Sequence, residues 1–151
     1  MYDFTFERAQ SVDQAAAKAA AGAQLLAGGQ TLLASMKQRL TQPDTLVDLA
    51  HIAGLSGIKQ EGSHFVIGAM TRHQEVANHT GILQHIPGLA HLAGGIGDKQ
   101  VRAMGTLGGS LANNDPSACY PSAVLALGAT IHTNTRTIAA DDYFLGFTAQ
   151  R

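Results

Sequence analysis

Gln24-Leu25-Leu26-Ala27-Gly28-Gly29-Gln30-Thr31-Leu32-Leu33-Ala34-Ser35-Met36 is the stretch that decides how this chain folds. An apolar run meets paired glycines and then a helix-compatible segment, which predicts a buried strand, a tight turn and a helix to about Arg39. Thr31 is the expected N-cap, and Leu32, Leu33, Met36 and Leu40 form the expected inner face. Working outward, the alternation of Tyr2, Phe4 and Phe6 predicts a strand with its aromatics on one face. Ser11-Val12-Asp13-Gln14 has capping-box form and starts a helix from about Val12 to Ala21. Beyond Pro43-Asp44, Leu46-Val47-Asp48-Leu49 reads as a third strand. Strand, helix, strand, helix, strand is the pattern of a small parallel α/β unit.

The rhythm changes after His51. Ile58-Lys59 and Phe65-Val66-Ile67 flank the turn Gln60-Glu61-Gly62-Ser63, the signature of an antiparallel hairpin. Short helices are expected over 71–78, 88–93 and 121–127, a turn or helix over 82–86, and a closing hairpin around Asn134. The expected fold class is α+β, divided into a small parallel lobe over residues 1–51 and a larger, mixed or antiparallel lobe over residues 52–151.

Thr106-Leu107-Gly108-Gly109-Ser110 is a second glycine-paired stretch, with Asn113-Asn114-Asp115-Pro116 close behind. Between Gly94 and Pro116 the chain spends six glycines and four Asn or Asp residues, more than a simple connection requires. Like Ala27-Gly28-Gly29-Gln30-Thr31, it promises bare backbone N–H groups and a helix start for an anion. Two such turns in one chain suit a diphosphate held from two sides. Thr106, Ser110, Asn113 and Asp115 are candidates to meet hydroxyls or phosphate, and Leu107 and Leu111 to anchor the stretch in the core. Neither turn is the G-x-G-x-x-G fingerprint, and Asp48 is the lone acidic candidate for a ribose contact, so a nicotinamide-dinucleotide fold is disfavoured.

Composition narrows the remaining classes. Ten Lys and Arg against eleven Asp and Glu, dispersed along the chain, leave no nucleic-acid footprint. No apolar run approaches the roughly 20 residues that span a bilayer. A single cysteine forms no internal disulfide, and the polar, aromatic start lacks a signal-peptide core, which predicts a cytoplasmic protein. The seven histidines show no ligand spacing, so no metal is expected and they read as scattered surface or loop residues. Ser110 and Ser117 lack a nucleophile elbow.

The runs Ala27 to Lys37 and Asp98 to Pro116 together resemble the FAD-binding medium subunits of molybdenum hydroxylases, of the aerobic carbon monoxide dehydrogenase and xanthine dehydrogenase family. Gly68-Ala69-Met70-Thr71-Arg72-His73 and Ala139-Ala140-Asp141-Asp142-Tyr143-Phe144 extend the resemblance over nearly the whole chain. It implies a two-lobed flavin fold of the vanillyl-alcohol-oxidase (PCMH) type with FAD in the cleft between lobes. It also implies diphosphate contacts at residues 27–31, diphosphate and ribityl contacts at 106–110, and a familial Asp at Asp115. The implied partners are an iron–sulfur small subunit and a molybdopterin-containing large subunit, and the implied role is an FAD-dependent oxidoreductase subunit that relays electrons, with no catalytic side chain of its own.

Three departures from the family accompany the resemblance. Gln30 stands where relatives often have His, and Cys119 where many have an Asp directed at the ribityl chain. By residue type Cys119 reads as a small buried hydrophobe at a helix start. The family's C-terminal domain has no counterpart after Arg151, which leaves open the alternative of a flavin-lobe remnant that binds partner subunits without retaining FAD.

Overall fold

A computed structural model describes residues 1–115, 117–146 and 149–150. Pro116, Phe147, Thr148 and Arg151 lie outside the described residues, so the proline that ends the second motif does too.

The first part of the chain is built as its pattern predicts. Strands β1 (Thr5–Arg8), β2 (Gln24–Leu26) and β3 (Thr45–Asp48) form a parallel sheet in the order β1-β3-β2. Phe6 pairs with Leu46, and Leu25 with Val47, so the most buried strand lies in the middle. Helix α1 (Val12–Ala20) starts at Ser11, whose hydroxyl accepts from the Gln14 N–H at 3.1 Å. The Gln14 side chain reaches back to the Gln10 N–H at 2.7 Å, one residue beyond the usual partner. Ala15 of this thin helix packs with Ala9, Val47 and Ile52 in a small core.

Two details of that part differ from the expectation. β1 begins three residues later than the aromatic alternation suggests, and its ring at Phe6 is exposed beside the Arg8 guanidinium, 5.6 Å from the ring centroid. Helix α2 (Leu32–Lys37) buries Met36, but Leu40 is 75% exposed. Arg39 adopts a left-handed φ of 62°, and the Leu40 N–H turns back to the Ser35 carbonyl at 2.9 Å, which ends the helix and swings Leu40 out. Sequence reading missed this stop because arginine, not glycine, occupies the left-handed position.

The remainder forms around a second core containing Val76, Ile82, Ala93, Leu111, Tyr120 and Val124. Strands β4 (Ile58–Glu61) and β5 (His64–Ile67) make the expected antiparallel hairpin. Helices α3 (His73–Asn78), α4 (Thr80–His85) and α5 (Pro87–Gly94) follow it, then α6 (Lys99–Met104), α7 (Leu107–Asn113) and α8 (Cys119–Ala126). The hairpin of β6 (Thr130–His132) and β7 (Thr137–Ala139), the turn α9 (Ala140–Tyr143) and the antiparallel pair β8 (Phe144–Gly146) and β9 (Ala149–Gln150) close the chain. No helix among the described residues is long and apolar enough to cross a membrane.

Candidate functional site

The two glycine-paired stretches meet. A Cβ built on Gly28 would overlap the Met104 carbonyl and stand 2.7 Å from Gly105 Cα, while one on Gly109 would stand 3.4 Å from the Ala27 side chain. Between them lies a cleft of about 320 Å³, lined by Leu26, Ala27, Gly28 and Asp48 on one side and by Met70, Arg72, Met104 and Thr106 on the other. Residues 27–31 and 104–109 are thus brought together from opposite parts of the sequence.

Their backbones are in different states. After β2, the N–H groups of Gly28, Gly29, Gln30 and Thr31 donate to no protein acceptor among the described residues. Gly28 and Gly29 are half-buried, Gln30 and Thr31 exposed, and Gly29 holds a left-handed φ of 73°. Gln30 bends its amide back to the Gly28 carbonyl at 3.4 Å. Thr31 does not cap α2 through its hydroxyl, contrary to expectation, because it already has helical backbone angles. This turn is an open row of donors ahead of a helix.

The second stretch spends its donors internally, which corrects the expectation of bare N–H groups there. Thr106 is the N-cap of α7, 3% exposed, and its hydroxyl accepts from the Gly109 N–H at 3.1 Å. The N–H groups of Leu107, Gly108 and Ser110 donate to the carbonyls of Thr71, Ala69 and Thr106 at 3.0, 2.8 and 3.1 Å. The glycine pair therefore sits inside the first turn of a helix, not in a loop. Gly108 is required because a Cβ there would stand 2.5 Å from the Ala69 Cβ and 2.7 Å from its carbonyl oxygen. Leu107 and Leu111 are buried and anchor the helix as expected.

The partner of this stretch is the segment 69–73, which lies outside both glycine motifs. Its backbone is laddered to 105–108, with the His73 N–H on the Gly105 carbonyl at 3.0 Å and an isolated antiparallel bridge between Arg72 and Thr106. Thr71 is fully buried, and its hydroxyl donates to the Gly57 carbonyl and accepts from the Gly57 N–H, both at 3.0 Å. His73 lies 5.3 Å, ring to ring, from Tyr120, and burial lowers its pKa. Its Nδ1 and the Tyr120 hydroxyl are buried without a hydrogen-bond partner among the described residues. His73 is the exception to the expected surface histidines.

The other candidates fall around this centre. Ser110 is half-buried and Asn113 exposed on α7. Asp115 accepts from the Ser117 hydroxyl at 2.6 Å and the Ser117 N–H at 2.9 Å, which holds its carboxyl below the usual carboxylate range. Cys119 is exposed at the first position of α8, not buried as its residue type suggested. Arg102 lends its guanidinium to the carbonyls of Ile96 and Gly97 at 3.0 and 2.8 Å and so braces the turn before α6.

Comparison with known proteins adds an independent line. Residues 2–151 match the family described as the FAD binding domain in molybdopterin dehydrogenase. The chain is 39% identical over 150 residues to the carbon monoxide dehydrogenase medium chain of Hydrogenophaga pseudoflava, covering 95% of this chain and 52% of that one. It is 37% identical over 126 residues to the nicotine 6-hydroxylase medium subunit of Paenarthrobacter nicotinovorans, covering 81% and 44%. Among solved structures, carbon monoxide dehydrogenase from Hydrogenophaga pseudoflava superposes with a TM-score of 0.93 at 38% identity, over 99% of this chain and 54% of that chain. Quinoline 2-oxidoreductase from Pseudomonas putida 86 gives 0.92 at 30% identity, over 99% and 54%. The α+β fold is accordingly the PCMH-type FAD-binding fold that the residues resembled. The chain spans about half the length of the curated relatives it matches.

Proposed function

From a chain that belongs to the family of FAD-binding domains in molybdopterin dehydrogenases, we propose the FAD-binding portion of an electron-transfer medium subunit of a molybdenum hydroxylase. In this reading it assembles in the cytoplasm with an iron–sulfur small subunit and a molybdopterin-containing large subunit, and electrons leave through FAD to an acceptor. Bound FAD supplies chemistry that accepts electrons singly and releases them in pairs. The division into two lobes, drawn at residues 1–51 and 52–151, has the support of two separate cores, with Ile52 and Leu55 packing into the first of them.

The observation that carries the reading is the convergence of the two glycine stretches, with a row of unspent N–H groups that begins at Gly28 on the cleft wall. Gly28 to Thr31 would hold diphosphate oxygens, since their N–H groups have no protein acceptor among the described residues and α2 starts directly behind them. Gly108 and Gly109 let α7 close against Ala69 and Ala27, and the helix so placed would bring Ser110 and Asn113 to the ligand's edge. Asp115 and Cys119, at the far end of α7 and the start of α8, would face the ribityl side. Thr106 and Leu107 would act from beneath by fixing the helix start.

Purification with and without added FAD tests the reading. Retained flavin, seen as a yellow absorbance spectrum, is the expected result, with slow reduction by small organic substrates when no iron–sulfur partner is present. A colourless protein with no FAD affinity favours the partner-binding remnant. Rapid reduction by a small substrate alone would instead favour a self-sufficient flavin oxidase.

A further inference from the structure

We infer that Arg72 is the counter-charge for a diphosphate bound in the cleft, a role that rests on the dinucleotide reading above and identifies a residue outside the two glycine stretches. Its backbone is bridged to Thr106, which fixes its position at the second wall, and Arg72 lines the same cleft as Gly28. No acid pairs with it. Among the described residues, the ion pairs are Arg8 with Asp48 at 3.9 Å and Lys18 with Glu7 at 2.7 Å, and no hydrogen bond leaves the Arg72 guanidinium. Glu75, the acid of its own helix, is committed to the Arg72 N–H at 2.7 Å.

Electrostatics explains why such a cation is needed. The open N–H row supplies only partial charge, and Asp48 brings a negative charge to the same cleft wall. Asp48 is partly offset by Arg8 and by the Ala50 N–H at 2.9 Å, but neither projects a free charge at a ligand. Arg102, the other arginine near the second stretch, is occupied by the Ile96 and Gly97 carbonyls. Arg72 remains as a planar, five-donor group able to grip two phosphate oxygens together. The shared chemistry is a diphosphate, whether in FAD or in a plain adenine nucleotide.

The test compares the 151-residue chain with Arg72→Gln and Arg72→Lys, titrating each with FAD, ADP and riboflavin at about 0.02 M and about 0.3 M salt. Expected for Arg72→Gln is roughly tenfold weaker binding of FAD and ADP at low salt, with a flatter salt dependence, because an exposed charge–charge contact is screened over about 10 Å or less. Riboflavin, which lacks phosphate, should bind the variant and the wild type alike, and Arg72→Lys should recover part of the loss. FAD affinity and salt dependence unchanged in Arg72→Gln overturn the inference, as does an equal loss for riboflavin, which would mark a structural role. A wild-type chain that binds ADP but not FAD leaves the counter-charge standing and removes the flavin reading. One that binds neither removes both.

Discussion

Gly105 Cα passes 2.7 Å from where a side-chain carbon on Gly28 would stand. Glycine at position 28 is therefore what allows two segments nearly eighty residues apart to form one cleft. Its absent side chain makes room for protein backbone, which is a different reason from making room for a ligand.

Gly28→Ala should push the turns apart. The clash is with backbone, which yields poorly, so a stability loss of about 1–3 kcal/mol is expected together with weakened FAD binding. Gly88→Ala is the control, because nothing lies within 4 Å of a Cβ there and the position is helical. It should be neutral or stabilising by up to about 1 kcal/mol. Urea unfolding of both variants checks this, and equal stability for the two would contradict the close-approach account.

His73 should make the fold acid-sensitive well above the carboxylate range. Burial lowers its pKa in the folded state, while the unfolded chain titrates near the ordinary value of about 6.5. Below that value the unfolded state binds a proton that the folded state refuses, so stability should fall as pH drops through 6.5 and level off below the depressed folded value. Asp115 acts in a separate window: its lowered pKa gives stability that is present above about pH 4 and lost below it. Denaturant midpoints between pH 7.5 and 5 should therefore slope in the wild type and flatten in His73→Leu.

Cys119 is exposed, so it should be alkylated readily in the ligand-free chain. If it faces the ribityl chain, saturating FAD should slow that reaction several-fold. Cys119→Asp should then bind FAD about fivefold more tightly, since a carboxylate accepts hydroxyl hydrogen bonds that a thiol accepts poorly, a difference of about 1 kcal/mol. Unchanged alkylation in the presence of FAD would remove Cys119 from the site.

Gly29→Val should also abolish flavin retention, but through its own lobe. A Cβ there would lie 2.8 Å from Leu33 Cδ1 and 3.2 Å from Leu26 Cδ1, on a backbone with a left-handed φ that β-branched residues avoid. Circular dichroism and a thermal melt should report a destabilised small sheet alongside the flavin loss. A variant with a wild-type melting temperature would show that α2 can shift without cost.

The parallel sheet was legible because alternating apolar runs and glycine turns are local signals, and Leu25 and Val47 lie in the strands those signals mark. The first glycine turn was legible for the same reason. The helical state of Gly108 and Gly109 was not, because glycine pairs usually mark turns, and here the helix is imposed by the Thr106 cap and by carbonyls of Ala69 and Thr71 that lie far off in sequence. Arg72 and His73 were unreadable as site residues for a related reason. Nothing in Met70-Thr71-Arg72-His73 announces that it is laddered to residues 105–108, and only the fold places that ribbon at the cleft.

That ribbon gives the cleft one hard jaw and one soft one. The amides of 107–110 are locked into carbonyls and a hydroxyl, so their exchange with deuterated solvent should be slow with or without a ligand. The amides of 28–31 have no partner among the described residues and should exchange at once until a ligand accepts from them. Occupancy would then be recorded almost wholly on one wall: the second stretch is finished during folding, and the first is finished by its cargo.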